Sequence, residues 1–269
     1  MATWQAESTN HSYISKHKRF WEIDVARTVA VLVMIAFDVL YVLAYLRIQN
    51  TGVPGPYHGF WWWMSRVNAS VFMFLAGVSL TISQARTSRR MSSFMLRGLK
   101  IFAWGMVITL LTWLIAPYEY VRFGILHFFG IAFILAPFFT RFRYTNLIVG
   151  AAILAIGIYL LERGVFVDLP WLLWLLPYRF STLDYWPLVP WFGMFLIGMF
   201  FGKVLYPQGN RGFRLPDFSH PVVSALTFPG RHPLAMYIAH WPILIGIMFA
   251  IYPDKILPYV KEALSYLPF

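Results

Sequence analysis

The 269-residue chain has no cysteine, and only 12% of its residues are charged. Without a thiol there is no disulfide framework, no cysteine nucleophile and no cysteine metal site. The shortage of charge is equally informative, since a soluble domain carries about a quarter charged residues. Acids are scarcest, 11 Asp and Glu against 22 Lys and Arg. A glycine-rich phosphate loop and a dinucleotide fingerprint are both missing. No two of the 7 histidines stand three or four residues apart and no acid completes a cluster, so no metal site is expected. No internal repeat and no separate soluble domain is visible.

What fills the chain is hydrocarbon. Hydrophobic residues make up 59% and aromatics 19%, and many aromatics sit at the ends of apolar blocks, as interfacial anchors do. A spanning helix needs about 20 apolar residues. Seven blocks qualify, at 25–46, 62–83, 98–117, 123–140, 145–162, 188–206 and 233–252. The first is too long for a signal-peptide core and lacks a small-residue cleavage site. The stretch "LPWLLWLLPY", 169–178, is short and bounded by prolines, and reads as interfacial or re-entrant. With the N-terminus inside, 15 of the 22 Lys and Arg fall on the inner side, which favours that orientation. The basic loops also account for the formal charge of +11 without invoking nucleic acid. The expected fold is all-α, a polytopic helical bundle of about seven spans in the cell membrane. A polar cytoplasmic tail, 1–19, precedes a membrane domain, 20–252, and a short C-terminal tail, 253–269, follows on the far side.

A charged group in the hydrocarbon costs at least a few kcal/mol and asks for a reason. Asp38 lies about 20 Å along the first span at 1.5 Å per residue, in its outer half. In "GPYHGFWWWMSRVNASVFMFLAGVSL", 55–80, His58 precedes the second span and Arg66 and Asn68 open it. His127 lies near the outer start of the fourth span, and His240 about halfway along the last. Asp38, His58, Arg66, Asn68 and His127 could therefore converge at one depth as a polar pocket. Equally, Asp38 and Arg66 could be an ion pair between two helices, and His127 and His240 hydrogen-bonded core residues. Asp24 and Arg27, three apart at the inner boundary, are expected to pair locally. The inner loop "QARTSRRMSSFMLRGLK", 84–100, holds five cations and no acid. It can set topology and attract anionic headgroups, or dock a phosphorylated cofactor through guanidinium forks.

Several segments together resemble one family. "FWEIDVARTVAVLVMIAFDVLY", "SRVNASVFMFLAGVSLTIS" with its trailing arginines, "RFGILHFFGIAFIL", "LDYWPLVPWFGMFLIGMFFGK" and "GRHPLAMYIAHWPILIG" resemble, in order, patterns of the heparan-alpha-glucosaminide N-acetyltransferase catalytic-domain family. Thr28 stands where that family usually has glycine, and Asp38 where it often has Asn or His. The resemblance implies a multi-span acyltransferase that moves acetyl from cytoplasmic acetyl-CoA to a sugar or glycan amine or hydroxyl on the far side. It places His58 and Asp38 in the catalytic roles, His58 either as general base or as first acceptor of the acyl group. Arg66, Asn68, His127 and His240 are then the candidate oxyanion or acceptor contacts. Arg86, Arg89, Arg90, Arg97, Lys100 and Arg231 would hold the phosphates of the donor. The expected partners are the lipid bilayer, the acyl-CoA donor and the acceptor; assembly into a homo-oligomer is left open. A solute transporter or lipid-linked-sugar flippase would use the same intramembrane Asp, His and Arg, and a non-catalytic scaffold would use them as structural pairs.

Overall fold

The computed structural model describes residues 19–46, 59–87, 91–216 and 221–265. Among them the chain forms nine α-helices and no strand: α1 Trp21–Tyr45, α2 Gly59–Arg86, α3 Met91–Ile115, α4 Ile125–Phe139, α5 Tyr144–Glu162, α6 Leu188–Leu205, α7 Pro221–Arg231, α8 Pro233–Ile251 and α9 Pro253–Ser265. A bilayer offers no water to backbone amides, so long apolar blocks wind into helices that satisfy their own hydrogen bonds.

Six of these helices, α1, α2, α3, α5, α6 and α8, are long and apolar enough to cross a membrane, which makes this a multi-pass membrane protein. The count of seven needs adjusting at α4. Its 15 residues reach about 22 Å, short of the roughly 30 Å hydrocarbon core. It still runs the length of the bundle interior. Its first turn meets Asp184, just before α6, and the Thr140 carbonyl after its last turn accepts from Lys203 near the end of α6. The stretch 169–178 forms a short 3-10 turn, Pro170–Leu172, and further turns rather than a span.

Three boundaries differ from the apolar pattern. α3 starts at Met91, so the second half of the basic loop is helical. Ser92, Ser93 and Arg97 lower its hydropathy but do not break a helix. α7 and α9, of 11 and 13 residues, are too short to span, and each opens on a proline at the first helical position.

The core lies where α2, α4 and α6 meet, around Met73, Phe128, Phe133, Phe195, Leu196 and Met199. α2 and α6 approach through glycine: a Cβ on Gly198 would stand 2.1 Å from the Phe74 carbonyl oxygen, and one on Gly77 2.1 Å from that of Phe195. Small residues let membrane helices pack backbone to backbone, which replaces the hydrophobic drive that lipid does not supply. At the inner end α7 packs on α1, where the Gly230 amide donates to Thr28 Oγ1 at 2.9 Å and Arg211 forks onto Glu22 at 2.8 and 2.9 Å.

Gly198→Ala is expected to overpack this contact and cost roughly 1–3 kcal/mol. Its melting temperature in detergent should fall by several degrees. Gly246→Ala, where an added Cβ meets nothing within 4 Å, should melt as the wild type.

Candidate functional site

The outer segment before α6 is laid alongside the segment before α4. The Leu183 amide donates to the Glu119 carbonyl at 2.8 Å, the Trp186 amide to that of Phe123 at 3.0 Å, and Thr182 Oγ1 to that of Tyr120 at 3.0 Å. This places Asp184 over the start of α4. Its Oδ2 accepts the Ile125 amide at 2.8 Å and its Oδ1 accepts from Trp186 Nε1. Only a glycine fits beneath it, since a Cβ on Gly124 would come 2.3 Å from Oδ2. A carboxylate suits a helix N-terminus, where amides lack intrahelical partners and the dipole is positive. Burial nevertheless pushes the Asp184 carboxyl up to about 6, against the donors around it, and the Asp38 charge acts in the same direction.

Asp184 also accepts from the Tyr237 hydroxyl of α8 at 3.3 Å. One turn along α8 is His240. Its Nδ1 lies 2.6 Å from the Tyr237 carbonyl and its Nε2 3.1 Å from Asp38 Oδ2. The Tyr237 carbonyl can only accept, so Nδ1 donates to it, and one further proton lies between Nε2 and Asp38 Oδ2. The Asp38–His240 pair thus carries a transferable proton inside the membrane region, with both side chains shielded, at 16% and 4% exposure.

The α1–α2 register sets the depth of the other candidates. Phe37 meets Trp61, with ring centroids 6.5 Å apart, and Asn68 Nδ2 donates to the Ala30 carbonyl at 3.1 Å. The helices are therefore antiparallel, with Asn68 level with Ala30, about 12 Å inward of Asp38. Arg66 places its guanidinium 3.6 Å over the Trp62 ring and donates to the Trp62 carbonyl, while the salt-bridge partner of Asp38 is His240. The expected convergence of Asp38, Arg66 and Asn68 at one depth is thus replaced by a helix-to-helix tie and a cation–π contact further in. His127 is committed to the chain itself. Its Nδ1 accepts the Gly124 amide at 3.1 Å and its Nε2 faces Thr109 Oγ1 at 3.3 Å, whose hydroxyl donates to the Val121 carbonyl. That pattern makes it a neutral imidazole capping α4.

The inner end gathers guanidinium groups. Asp24 pairs with Arg27 at 3.3 Å, as its spacing suggested, and with Arg231 at 3.7 Å. The second contact is too long for a hydrogen bond and leaves Asp24 Oδ2 and Arg231 Nε buried without hydrogen-bond partners. Arg97 lies over the Phe133 ring, and Lys100 is exposed on α3. Arg86 donates to the Gly209 carbonyl at 2.6 Å and covers the Phe20 ring. A cleft of about 370 Å³ opens near this end between α2, α4 and α6, lined by Thr81, Gln84, Thr140, Lys203 and Gln208. His58, Arg89 and Arg90 lie outside the described residues.

The chain is thus a multi-pass helical bundle with an acid–imidazole pair joining α1 to α8 and arginines gathered at the end where α7 packs on α1. Residues 19–242 match the family described as heparan-alpha-glucosaminide N-acetyltransferase, catalytic, and the chain belongs to that family of membrane acetyltransferases. Comparison with curated proteins and with solved structures gives no match.

Two site residues, Asp184 and Tyr237, escape a reading based on spans alone. Both lie in quoted motifs, "LDYWPLVPW" and "GRHPLAMYIAH", but Asp184 looks like an ordinary loop acid and Tyr237 like an interfacial aromatic. The available signal was scarcity: in a chain with 11 acids, one set among aromatics and prolines is uncommon.

The raised Asp184 carboxyl makes a stability prediction. A group whose folded-state value lies above its unfolded one binds more protons when folded, so its contribution is full below about pH 4 and lost as pH rises through about 6. Melting temperatures in detergent between pH 4 and 7 should therefore fall with rising pH more steeply for the wild type than for Asp184→Asn. Parallel curves would place the carboxyl at its ordinary value.

Proposed function

We propose that the protein transfers an acetyl group from cytoplasmic acetyl-CoA to an amine or hydroxyl of a sugar or glycan presented on the extracytoplasmic side. The observation that carries this is the Asp38–His240 pair, a proton-holding couple 3.1 Å across in an acetyltransferase-family chain. Transfer needs a base where the acceptor attacks and a route by which a phosphorylated donor reaches it from inside.

In this reading His58 and Asp38 are the catalytic pair. His58 takes the proton of the attacking amine or hydroxyl, Asp38 orients it, and His240 holds the second side of Asp38. The α1–α2 register supports the assignment. With Trp61 opposite Phe37, the first residue of α2, Gly59, stands level with the turn that carries Asp38, and His58 precedes it in the chain. The acceptor's lone pair forms a bond to the thioester carbonyl carbon, the C–S bond breaks, and the proton on His58 passes to the CoA thiolate. Arg66 and Asn68, further in, are left to the passage of the acyl arm. His127 acts through its cap on α4.

The donor's phosphates would lie at the inner end, on Arg97 and Arg231 with Arg86, Arg89, Arg90 and Lys100 around them. Arg231 fits best: its Nε is buried, lacks a hydrogen-bond partner and is held only by a long ion pair to Asp24. A phosphate there would supply the missing acceptor.

Acetyl-CoA binding by the purified protein, followed by calorimetry in detergent, tests the donor half. Arg89→Ala/Arg90→Ala and Arg231→Ala are each expected to weaken it by about 10–100-fold, the worth of hydrogen bonds to charged groups. No binding by folded wild-type protein would leave a transporter as the better reading. Labelled acetyl transfer to glucosamine tests the chemistry. His58→Ala and Asp38→Asn should each lower it about 10²–10⁴-fold while acetyl-CoA still binds.

A further inference from the structure

We propose that Asp184 and Tyr237 are positioning residues of the transfer site: the Asp184 carboxylate, clamped on the start of α4, holds the Tyr237 hydroxyl and so fixes the turn of α8 that presents His240 to Asp38. This rests on the reading of Asp38 as a reacting group.

α8 buries only a narrow stripe of its surface. Its buried residues are His240, Leu244 and Met248, a single stripe at four-residue spacing, while Ile243, Ile245, Ile247 and Phe249 are exposed toward the bilayer. A narrow apolar stripe leaves a helix free to rotate by a fraction of a turn, and lipid does not oppose the rotation. A rotation of even 20° about a helix of roughly 5–6 Å side-chain radius would move His240 by about 2 Å, enough to break a 3.1 Å contact. The apolar seam that Leu244 and Met248 make with Val39, Val42 and Leu43 of α1 sets the face that α8 presents, and polar contacts refine the angle to the precision a 3.1 Å contact needs.

Tyr237 and His240 are three apart and share a face, with ring centroids 5.5 Å apart. His240 is locked to the Tyr237 turn by the 2.6 Å contact of its Nδ1 with the Tyr237 carbonyl. The Tyr237 hydroxyl reaches away from α8 to Asp184 at 3.3 Å. Asp184 is itself immobilised by the Ile125 amide at 2.8 Å and by Trp186, whose ring packs edge-on against Trp191 at 4.9 Å. The hold therefore passes from the α4 terminus, through one carboxylate and one phenol, to the imidazole that meets Asp38. The ionisable groups facing this chain are Asp38 from α1, His127 from α4, and Tyr237 and His240 from α8.

The test uses the full-length protein in detergent with Tyr237→Phe and Asp184→Asn. Both variants should melt cooperatively. Hydrogen–deuterium exchange over residues 236–244 should run severalfold faster in each than in the wild type. For acetyl transfer to glucosamine, kcat should fall about tenfold in each, with the acetyl-CoA KM within twofold. The double variant should be little worse than either single one, because both break one connection. Unchanged exchange over 236–244 in both variants overturns the proposal, whatever the activity. Faster exchange with unchanged kcat also overturns it, reducing the contact to a structural tie. If the wild type transfers no acetyl to glucosamine, the function proposed above fails for that acceptor, while the exchange result still decides whether the clamp holds α8.

Discussion

A carboxylate well inside a membrane helix must find its partner within the protein, and Asp38 finds His240. Much of the outer half of the bundle follows from that need. The contact joins α1, the first helix, to α8, which follows it by nearly two hundred residues. It also orders the helix that carries the imidazole, beside the apolar seam of Leu244 and Met248 with Val39, Val42 and Leu43. Further inward, Gly230 docks its amide on Thr28, and the same two segments are tied again by Arg231 and Asp24. His240 lies ten residues beyond Gly230, and Asp38 lies ten beyond Thr28. Segments running parallel from one tie reach the second in register, so the two contacts support each other.

The same scarcity of water governs other polar residues. His127 and Thr109 meet backbone groups outside the helix ladders, the Gly124 amide and the Val121 carbonyl, and Asn68 ties α2 to the Ala30 carbonyl of α1. Lys203 is held by the carbonyls of Thr140 and Phe142, just past the end of α4, while the last-turn carbonyls of Pro137 and Phe139 accept from Thr140 and Asn146. The short α4 is thus capped at both ends by side chains from the α6 arm, Asp184 at its amide end and Lys203 at its carbonyl end. Opposite charges at opposite ends match the helix dipole.

Much of this was legible in the sequence, and the rest was not for identifiable reasons. Apolar blocks announce helices, because hydrocarbon allows no other way to satisfy a backbone, so the positions of α1, α2, α5, α6 and α8 follow from counting. α7 and α9 were hidden because they are amphipathic and short, and the start of α3 because serine and arginine mask a helix without breaking it. Asp38 stood out as a buried acid. Its partner did not, since depth within a span does not say which helices are neighbours. Arg66 and Asn68 looked level with Asp38 because the second span was counted from its apolar start; the Phe37–Trp61 register puts them further in. Asp184 was hidden by the opposite error, a loop residue that the chain folds down onto the start of α4.

The distribution of charge within the bundle gives the proposed chemistry a direction. Arginines collect at the inner end and outnumber its acids, Asp24 and Glu22, while the outer half holds two carboxylates, Asp38 and Asp184, close enough for one to bear on the other. A polyanionic donor is attracted to the first region and repelled by the second. Its phosphates are then held at the inner end while a slim neutral arm extends outward. An acceptor amine, cationic until it loses its proton, is drawn to the opposite pole. The two substrates would meet from opposite sides at the level of Asp38, where the proton that must leave the amine has an imidazole and a carboxylate to receive it. Exchanging the poles would draw the donor to the far side, where no cytoplasmic cofactor is supplied. On this reading, the asymmetry of charge that orients the helices in the bilayer also orients the reaction.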